Sequence, residues 1–217
     1  EPLLVEKGGV VMVKLSPMLD MASALNDLKH VRQVHVVAVN NECKELIILL
    51  KKPEDTANSI DNEKIIVCEQ VVNNSASQHF SYTLSEEKNA VCTIADKVGT
   101  YLYEPGAALL KAGPYKLLSA RYGVGKLHPN SHLYTSAYAV DFPGRCFRVI
   151  AVSGFGKKEL KDFMKGVEKA NLTIRNFPSS VAELRKKLKL KEGGNLYLFA
   201  TTLADGEKVL IKCEKMV

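Results

Sequence analysis

The stretch GGVVMVKLSPMLDMASALNDLKHVRQVHVVAVNNECKELIILL, residues 8–50, contains the change of hydrophobic period that sets the fold class. Residues 8–17 are an apolar run opened by two glycines and closed by Ser16-Pro17, the pattern of a fully buried parallel strand. Met18, Met21, Ala22, Leu25 and Leu28 then recur at helical spacing and stop before His30. VRQVHVVAV (31–39) and ECKELIILL (42–50) are β-favourable runs. Asn40-Asn41 joins them, a dipeptide that tolerates the positive φ of a tight hairpin turn. Strand, helix, strand and returning strand predict an α/β sheet.

Outward from this stretch the chain alternates between polar connections and short periodic segments. A polar, turn-rich segment, KPEDTANSIDNE (52–63), precedes a third β-favourable run, KIIVCEQVV (64–72). Residues 73–90 are polar with a short aromatic patch and read as an exposed connection or edge, with a domain boundary nearby. YLYEPGAALLKAGPYKLLSARYG (101–123) holds two helix starts, with Pro105 and Pro114 at early helical positions where the missing N–H costs nothing. Gly113 and Gly123 are placed to end those helices. Residues 128–140 read as loop into strand, leading to FPGR (142–145) as a second boundary.

From Arg145 the pattern is cleaner. CFRVIAVSGF (146–155) is a strand, and KKELKDFMKGVEK (157–169) is a helix with Leu160, Phe163, Met164 and Val167 on one face. NLTIRNF (171–177) is a strand, VAELRKKLKL (181–190) a helix capped by Ser179 or Ser180, and residues 195–215 a hairpin around Asp205-Gly206. The prediction is a β-α-β-α-β-β unit.

The chain has 217 residues, 46% hydrophobic and 25% charged, enough for one or two packed domains. No stretch approaches the roughly 18–20 apolar residues of a membrane-spanning helix, and no basic-then-apolar leader opens the sequence. A soluble, cytoplasmic protein with no membrane partner is expected. The chain opens at Glu1 on what reads as the end of a helix already under way, so a longer parent protein is expected. Five widely spaced cysteines without a C-x-x-C pair suit reduced thiols.

Charge is unevenly spread: residues 1–142 hold 14 Lys and Arg against 16 Asp and Glu, and residues 143–217 hold 16 against 8. A basic lobe suits a polyanion such as RNA, whose neutralised phosphates release counterions. It equally suits a lysine-rich surface that serves solubility.

Glycine-rich, metal and nucleophile signatures are weak. Gly123-x-Gly125 and Gly154-x-Gly156 do not extend to a dinucleotide fingerprint, because His128 and Glu159 stand where the third glycine belongs. Gly154 to Gly156 lies between a strand and a helix, where backbone N–H groups can hold an anion, although a simple tight turn explains it better. His128 and His132 are four apart but sit in a Pro-Asn loop with no further ligand, so no metal is expected. No G-x-S-x-G occurs, and no catalytic residue is assigned.

The remaining candidates are basic: Lys157, Lys158, Lys161 and Lys165 on one helix, and Arg185, Lys186, Lys187, Lys189 and Lys191 on and after the next. By spacing, Arg185, Lys186 and Lys189 share a flank opposite a Val181, Leu184, Leu188 stripe. That geometry contacts phosphates, and it is also how an amphipathic helix solubilises itself.

Residues 11–50, with the motifs K-L-S-P-M-L-D and N-E-C-K-E-L, resemble the last part of a class I S-adenosylmethionine (SAM)-dependent methyltransferase fold. More closely, they are similar to bacterial methyltransferases that carry a C-terminal THUMP-like domain. Residues 101–136, with Y-E-P-G-A-A-L-L-K-A-G, look like that family's small ferredoxin-like insert, and residues 142–215 look like its THUMP-like domain.

The resemblance implies an α/β plus α+β chain in three parts. Residues 1–72 would be the C-terminal part of the methyltransferase domain, a partial Rossmann-like sheet; 73–142 a small ferredoxin-like α+β domain; and 143–217 the THUMP-like domain. SAM is implied as cofactor of the full-length protein. None is expected on this chain, which lacks the glycine-rich loop, the acidic residue after the second strand and the Asp-Pro-Ala-Arg-Arg motif of such enzymes.

Lys14, Ser16, Pro17 and Asp20 then stand just past the carboxyl end of the fifth strand, where α/β ligands lie. They are substrate-side candidates, or Ser16-Pro17 simply ends the strand. The implied function is the C-terminal region of an RNA-directed methyltransferase, inactive alone, with the THUMP-like domain helping to hold tRNA or rRNA. A non-catalytic RNA-binding or assembly module, and a methyltransferase for protein or small molecules, are the alternatives. An exposed sheet edge within residues 1–52 would favour a homodimer.

Overall fold

The computed structural model describes residues 1–52, 63–72 and 77–216. Residues 2–51 supply α1 (Pro2–Gly8), β1 (Val10–Leu15), α2 (Met21–Asp27), β2 (Val31–Val39) and β3 (Glu42–Lys51). Asn40 and Asn41 both take left-handed φ, 50° and 63°, and turn β2 into β3 as their side chains permit. The polar segment 52–63 lies almost wholly outside the described residues, and so do residues 73–76. After them come β4 (Ile65–Val71), β5 (Gln78–Thr83) and α3 (Leu84–Asn89). The chain continues through β6 (Tyr101–Pro105), α4 (Ala107–Ala112), α5 (Tyr115–Tyr122), β7 (Gly125–Lys126) and β8 (Tyr134–Ser136). It closes with β9 (Gly144–Ser153), α6 (Lys157–Phe163), β10 (Asn171–Arg175), α7 (Val181–Leu188), β11 (Leu196–Thr202) and β12 (Lys208–Lys215). Two compact units result: Glu1–Ala90 with Gly106–Leu117, and Val91–Pro105 with Leu118–Val217.

The first unit is built on a sheet of order β1-β3-β2-β4-β5, in which β2 and β4 are parallel and the other pairs antiparallel. β1 and β2 therefore run the same way, with α2 between them in sequence and β3 folded back between them in space. Val34, Val36, Leu46, Ile48 and Ile66 are fully buried. The small residues Ala108 and Ala112, with Leu109, let α4 pack against β2, β3 and β4. Asn41 Oδ1 accepts the Ala107 N–H at 3.0 Å, and Tyr82 donates its hydroxyl to the Ala112 carbonyl at 2.7 Å.

One expectation fails here. The 8–17 run predicts a strand buried on both faces between parallel neighbours, but β1 is an edge strand paired antiparallel with β3, and Val10 and Met12 are 58% and 68% exposed. Only Val11, Val13 and Leu15, opposite Leu50, Ile48 and Leu46, turn toward the core. An unbroken apolar run does not say which of its faces is covered. Residues 78–83 form the edge anticipated for 73–90, but as a strand with Phe80 and Tyr82 buried.

The second unit carries a seven-stranded sheet, β10-β11-β12-β9-β6-β8-β7. Its last part follows the predicted β-α-β-α-β-β order, and Gly206 at φ 90° turns β11 into β12. β9, β10 and β11 run parallel to one another, since β12 is antiparallel to both of its neighbours. α6 and α7 cover one face with Leu160, Phe163, Leu184 and Leu188 against Leu172, Leu198, Ala200 and Leu210. The other face holds Leu102, Phe147, Phe199, Val209 and Ile211 under Leu127 and Leu133, with the Phe147 and Phe199 rings edge to face at 4.9 Å.

Residues 101–105, taken in sequence as the approach to a helix, are instead β6, with Leu102 through Pro105 buried. Tyr-Leu-Tyr favours a pleated surface, and Pro105 is tolerated because it ends the strand. β6 pairs with β9 across residues 142 and 143, so the ferredoxin-like and THUMP-like segments share one sheet. β4 likewise pairs with β5 across residues 72 and 73.

That sheet curls. β6 and β10 are four positions apart, about 19 Å in a flat sheet, yet Glu104 of β6 accepts from Arg175 Nη2 of β10 at 2.7 Å. The other Glu104 oxygen accepts from Arg145 Nε at 2.8 Å, and the carboxylate is 2% exposed.

Candidate nucleic-acid interface

The basic candidates lie on α6, α7 and the turns that follow. α7 begins with a reciprocal cap: Ser180 Oγ accepts the Glu183 N–H at 3.2 Å, and the Glu183 carboxylate accepts the Ser180 N–H at 2.8 Å. Ser180, not Ser179, is therefore the cap; the Ser179 hydroxyl donates to the same carboxylate at 3.1 Å. These donors, the Ser180 N–H foremost, hold the Glu183 carboxyl below its ordinary pKa. α6 ends at Phe163, where Lys212 Nζ donates to the Phe163 carbonyl at 2.5 Å and lies 4.4 Å from the Phe163 ring centroid. Burial lowers the Lys212 pKa.

Because α6 and α7 put their leucines and Phe163 on the sheet, their lysines face outward. Lys157, Lys158 and Lys161 of α6, Lys165 beyond it, Lys186 and Lys187 of α7, and Lys189 and Lys191 beyond it are all exposed. Arg185 departs from the expected set. Its side chain is 18% exposed, donates to the Ala170 carbonyl at 3.4 Å and sits 3.5 Å from the Glu192 carboxylate. Lys189 is the helix cap with left-handed φ of 53°, its N–H bonded to the Arg185 and Lys186 carbonyls, so it follows α7 rather than lying within it. Val181 is exposed, and the buried stripe is Leu184 with Leu188.

Two aromatic residues join this surface unannounced. Phe155 lies in the loop after β9 and Phe177 in the loop after β10, and their rings stack with centroids 4.9 Å apart, tilted by 35°. Lys187 Nζ is 5.5 Å from the Phe155 centroid. Sequence reading takes Phe155 and Phe177 as the last residues of its two strands, 146–155 and 171–177; Gly-Phe-Gly and Asn-Phe-Pro are the signals there of a loop.

Loop 127–133 adds His128 and His132, as a loop rather than a helix. His132 takes left-handed φ of 53°, and burial first, then the charges of Lys126 and Arg175, push its pKa down to about 4. His128 Nδ1 lies 3.0 Å from Asn176 Nδ2.

The substrate-side candidates of the first unit are engaged locally. Lys14 is paired with Glu45 at 2.9 Å, and Ser16 Oγ accepts the Met18 N–H at 3.2 Å. Asp20 caps α2 by accepting the Ser23 N–H at 2.8 Å, and Pro17 lies in the turn between them. One glycine of each pair makes a close packing contact, and Gly123 instead takes a positive φ of 62°. A Cβ on Gly154 would come within 2.8 Å of the Glu159 carboxylate, and one on Gly125 within 2.8 Å of the Ala95 Cβ. Among the described residues no three His, Cys, Asp or Glu side chains gather as a metal site, and no helix is long and apolar enough to cross a membrane.

Comparison with known proteins follows the same division. Residues 144–215 match the family model described as THUMP domain-like, and residues 101–143 match a ferredoxin-like domain. Over its whole length the chain is similar to the crystal structure of a "putative methyltransferase" from Porphyromonas gingivalis W83, with 39% identity and a TM-score of 0.88. It covers 54% of that protein, about half its length. No curated protein matches the sequence. The chain thus carries a ferredoxin-like domain followed by a THUMP domain-like one, in a structure similar to that larger protein.

Proposed function

We propose that this chain is the substrate-holding region of an RNA-directed, SAM-dependent methyltransferase, with the THUMP-like domain gripping tRNA or rRNA. The observation that carries the reading is the outward array of eight lysines on and beside α6 and α7, on a lobe with 16 basic against 8 acidic residues. Phosphates neutralised by such an array release counterions, which makes binding favourable and salt-sensitive. THUMP-like domains generally bind RNA, and the similarity to the Porphyromonas protein supports the methyltransferase part.

The five-stranded sheet is read as the last strands of a class I methyltransferase sheet. Parallel β1 and β2 joined through α2, with a hairpin strand returned between them, support this. Lys14, Ser16, Pro17 and Asp20 would then border the substrate side at the carboxyl end of β1.

SAM does not fit the residues of this chain. The hollow beside the strand–glycine–helix turn at Gly154 is lined by the carboxylates of Glu159 and Glu207, which would repel the carboxylate of the donor. The donor would be held by residues of the full-length enzyme outside this chain. The part played here is to bind and orient RNA, and positioning supplies a large share of the rate in such transfers.

Filter binding of tRNA and rRNA fragments to the chain and to a Lys157→Glu, Lys161→Glu, Lys186→Glu, Lys187→Glu variant tests the reading. An affinity loss of about a hundredfold with unchanged circular dichroism is expected, since each charge reversal removes a phosphate contact. Equal affinity for both proteins would overturn it.

A further inference from the structure

Phe155 and Phe177 are both half-buried. They leave the carboxyl ends of two strands, β9 and β10, that run parallel although β11 and β12 lie between them. At such edges of parallel strands, loops rather than the sheet itself meet ligands. The Phe177 loop is pinned from below: Thr202 donates its hydroxyl to the Asn176 carbonyl at 2.7 Å, and the Ser179 N–H bonds the Phe177 carbonyl at 2.9 Å. Asn176 is held at left-handed φ of 49°, a conformation that costs free energy and aims the next residue, Phe177, at Phe155. Lys187 lies over the Phe155 ring, and Lys157 and Lys158 follow Phe155 in sequence at the start of α6. An aromatic pair set among outward lysines is the arrangement in which a base stacks while the cations meet its flanking phosphates.

We propose that the Phe155–Phe177 pair is a seat for an unpaired nucleobase, so that the basic surface takes single-stranded or looped RNA in preference to duplex. This deepens the RNA reading above and rests on it. The tilted rings accept a base as a third member of the stack, with Lys187 moving from the Phe155 ring to the phosphate beside that base. Duplex RNA keeps its bases stacked inside the helix and offers such rings nothing but ribose and phosphate. Both side chains also pack against the core beneath α6 and α7, a contact that an apolar leucine supplies as well, whereas only the aromatic rings offer a stacking face.

The test uses the full chain with Phe155→Leu and Phe177→Leu, singly and together, against a single-stranded RNA oligomer and a duplex of the same length at several salt concentrations. Leucine keeps the apolar contact and the fold. The expected result is an affinity loss of about tenfold for the single strand, no change for the duplex, and an unchanged salt slope, because stacking carries no counterion term. Lysine reversal, by contrast, changes the slope. Single-strand affinity that the leucine variants leave unchanged, or an equal loss for duplex, overturns the seat alone. Failure of the unaltered chain to bind either RNA overturns the RNA reading and the seat together.

Discussion

Glu104 splits one buried carboxylate between the guanidinium groups of Arg145 and Arg175, and so ties β6, β9 and β10 across the curled sheet. Removing one member of a fully buried ion group costs about 3–5 kcal/mol. Here the arginine side chains are 30% and 35% exposed, so solvent screens part of the uncompensated charge. Glu104→Gln is expected to cost about 2–3 kcal/mol in urea unfolding; a loss under about 0.5 kcal/mol, the range of an ordinary surface change, would contradict this role.

His132 gives a pH signature. Its folded pKa of about 4 lies below the unfolded value near 6.5, so the unfolded chain binds the proton first. The stability this group contributes is complete above about pH 6.5 and is lost as pH falls toward 4, by at most about 3 kcal/mol at 1.4 kcal/mol per pKa unit. His132→Asn keeps a residue suited to left-handed φ and should flatten that part of the stability–pH curve; an unchanged slope would show that His132 is not the group responsible.

At the scale of elements, the α7 cap is the simplest device to probe. Ser180→Ala removes one side of the reciprocal cap and should cost about 1 kcal/mol, measured by thermal unfolding, while Ser179→Ala should cost clearly less. The cap was legible in sequence to within one residue, because Ser-Ser-x-x-Glu before an apolar run offers two candidates. The Asn40-Asn41 and Asp205-Gly206 turns were legible because positive φ narrows the choice of residue. α3 was missed although Thr83-x-x-Glu86 forms a capping box, because a six-residue helix with no buried residue has no periodic stripe to announce it. β1 was recognised as a strand but misplaced within the sheet, since the run shows its hydrophobicity and not its neighbours. The lysines were readable because exposed charges follow helical spacing. Arg185 was not, because its turn toward Ala170 and Glu192 depends on what stands beside the helix. Phe155 and Phe177 are 22 residues apart in sequence and meet only once β9 and β10 are placed in the same sheet.

For the whole molecule, the division of the chain matters more than the order of its segments. The THUMP-like segment shares its sheet with β6, and Phe147 and Phe199 pack beneath Leu102, Leu127 and Leu133 from the preceding segment. Residues 144–217 expressed alone would expose that aromatic face and the β9 edge, and would lose the Glu104 partner of both arginines. That fragment is expected to aggregate or to unfold without a cooperative transition, whereas the full chain gives a cooperative one; a fragment as stable as the full chain would contradict a shared core.

In the function proposed here, the lysines of α6 and α7 hold RNA through its phosphates. The most direct measurement is the slope of log affinity against log salt for tRNA, between about 50 and about 200 mM. The expected slope is about −3 to −5, about four to six phosphates neutralised and a loss of about sixtyfold to a thousandfold across that range. A flat slope, or no binding at the lowest salt, would contradict it.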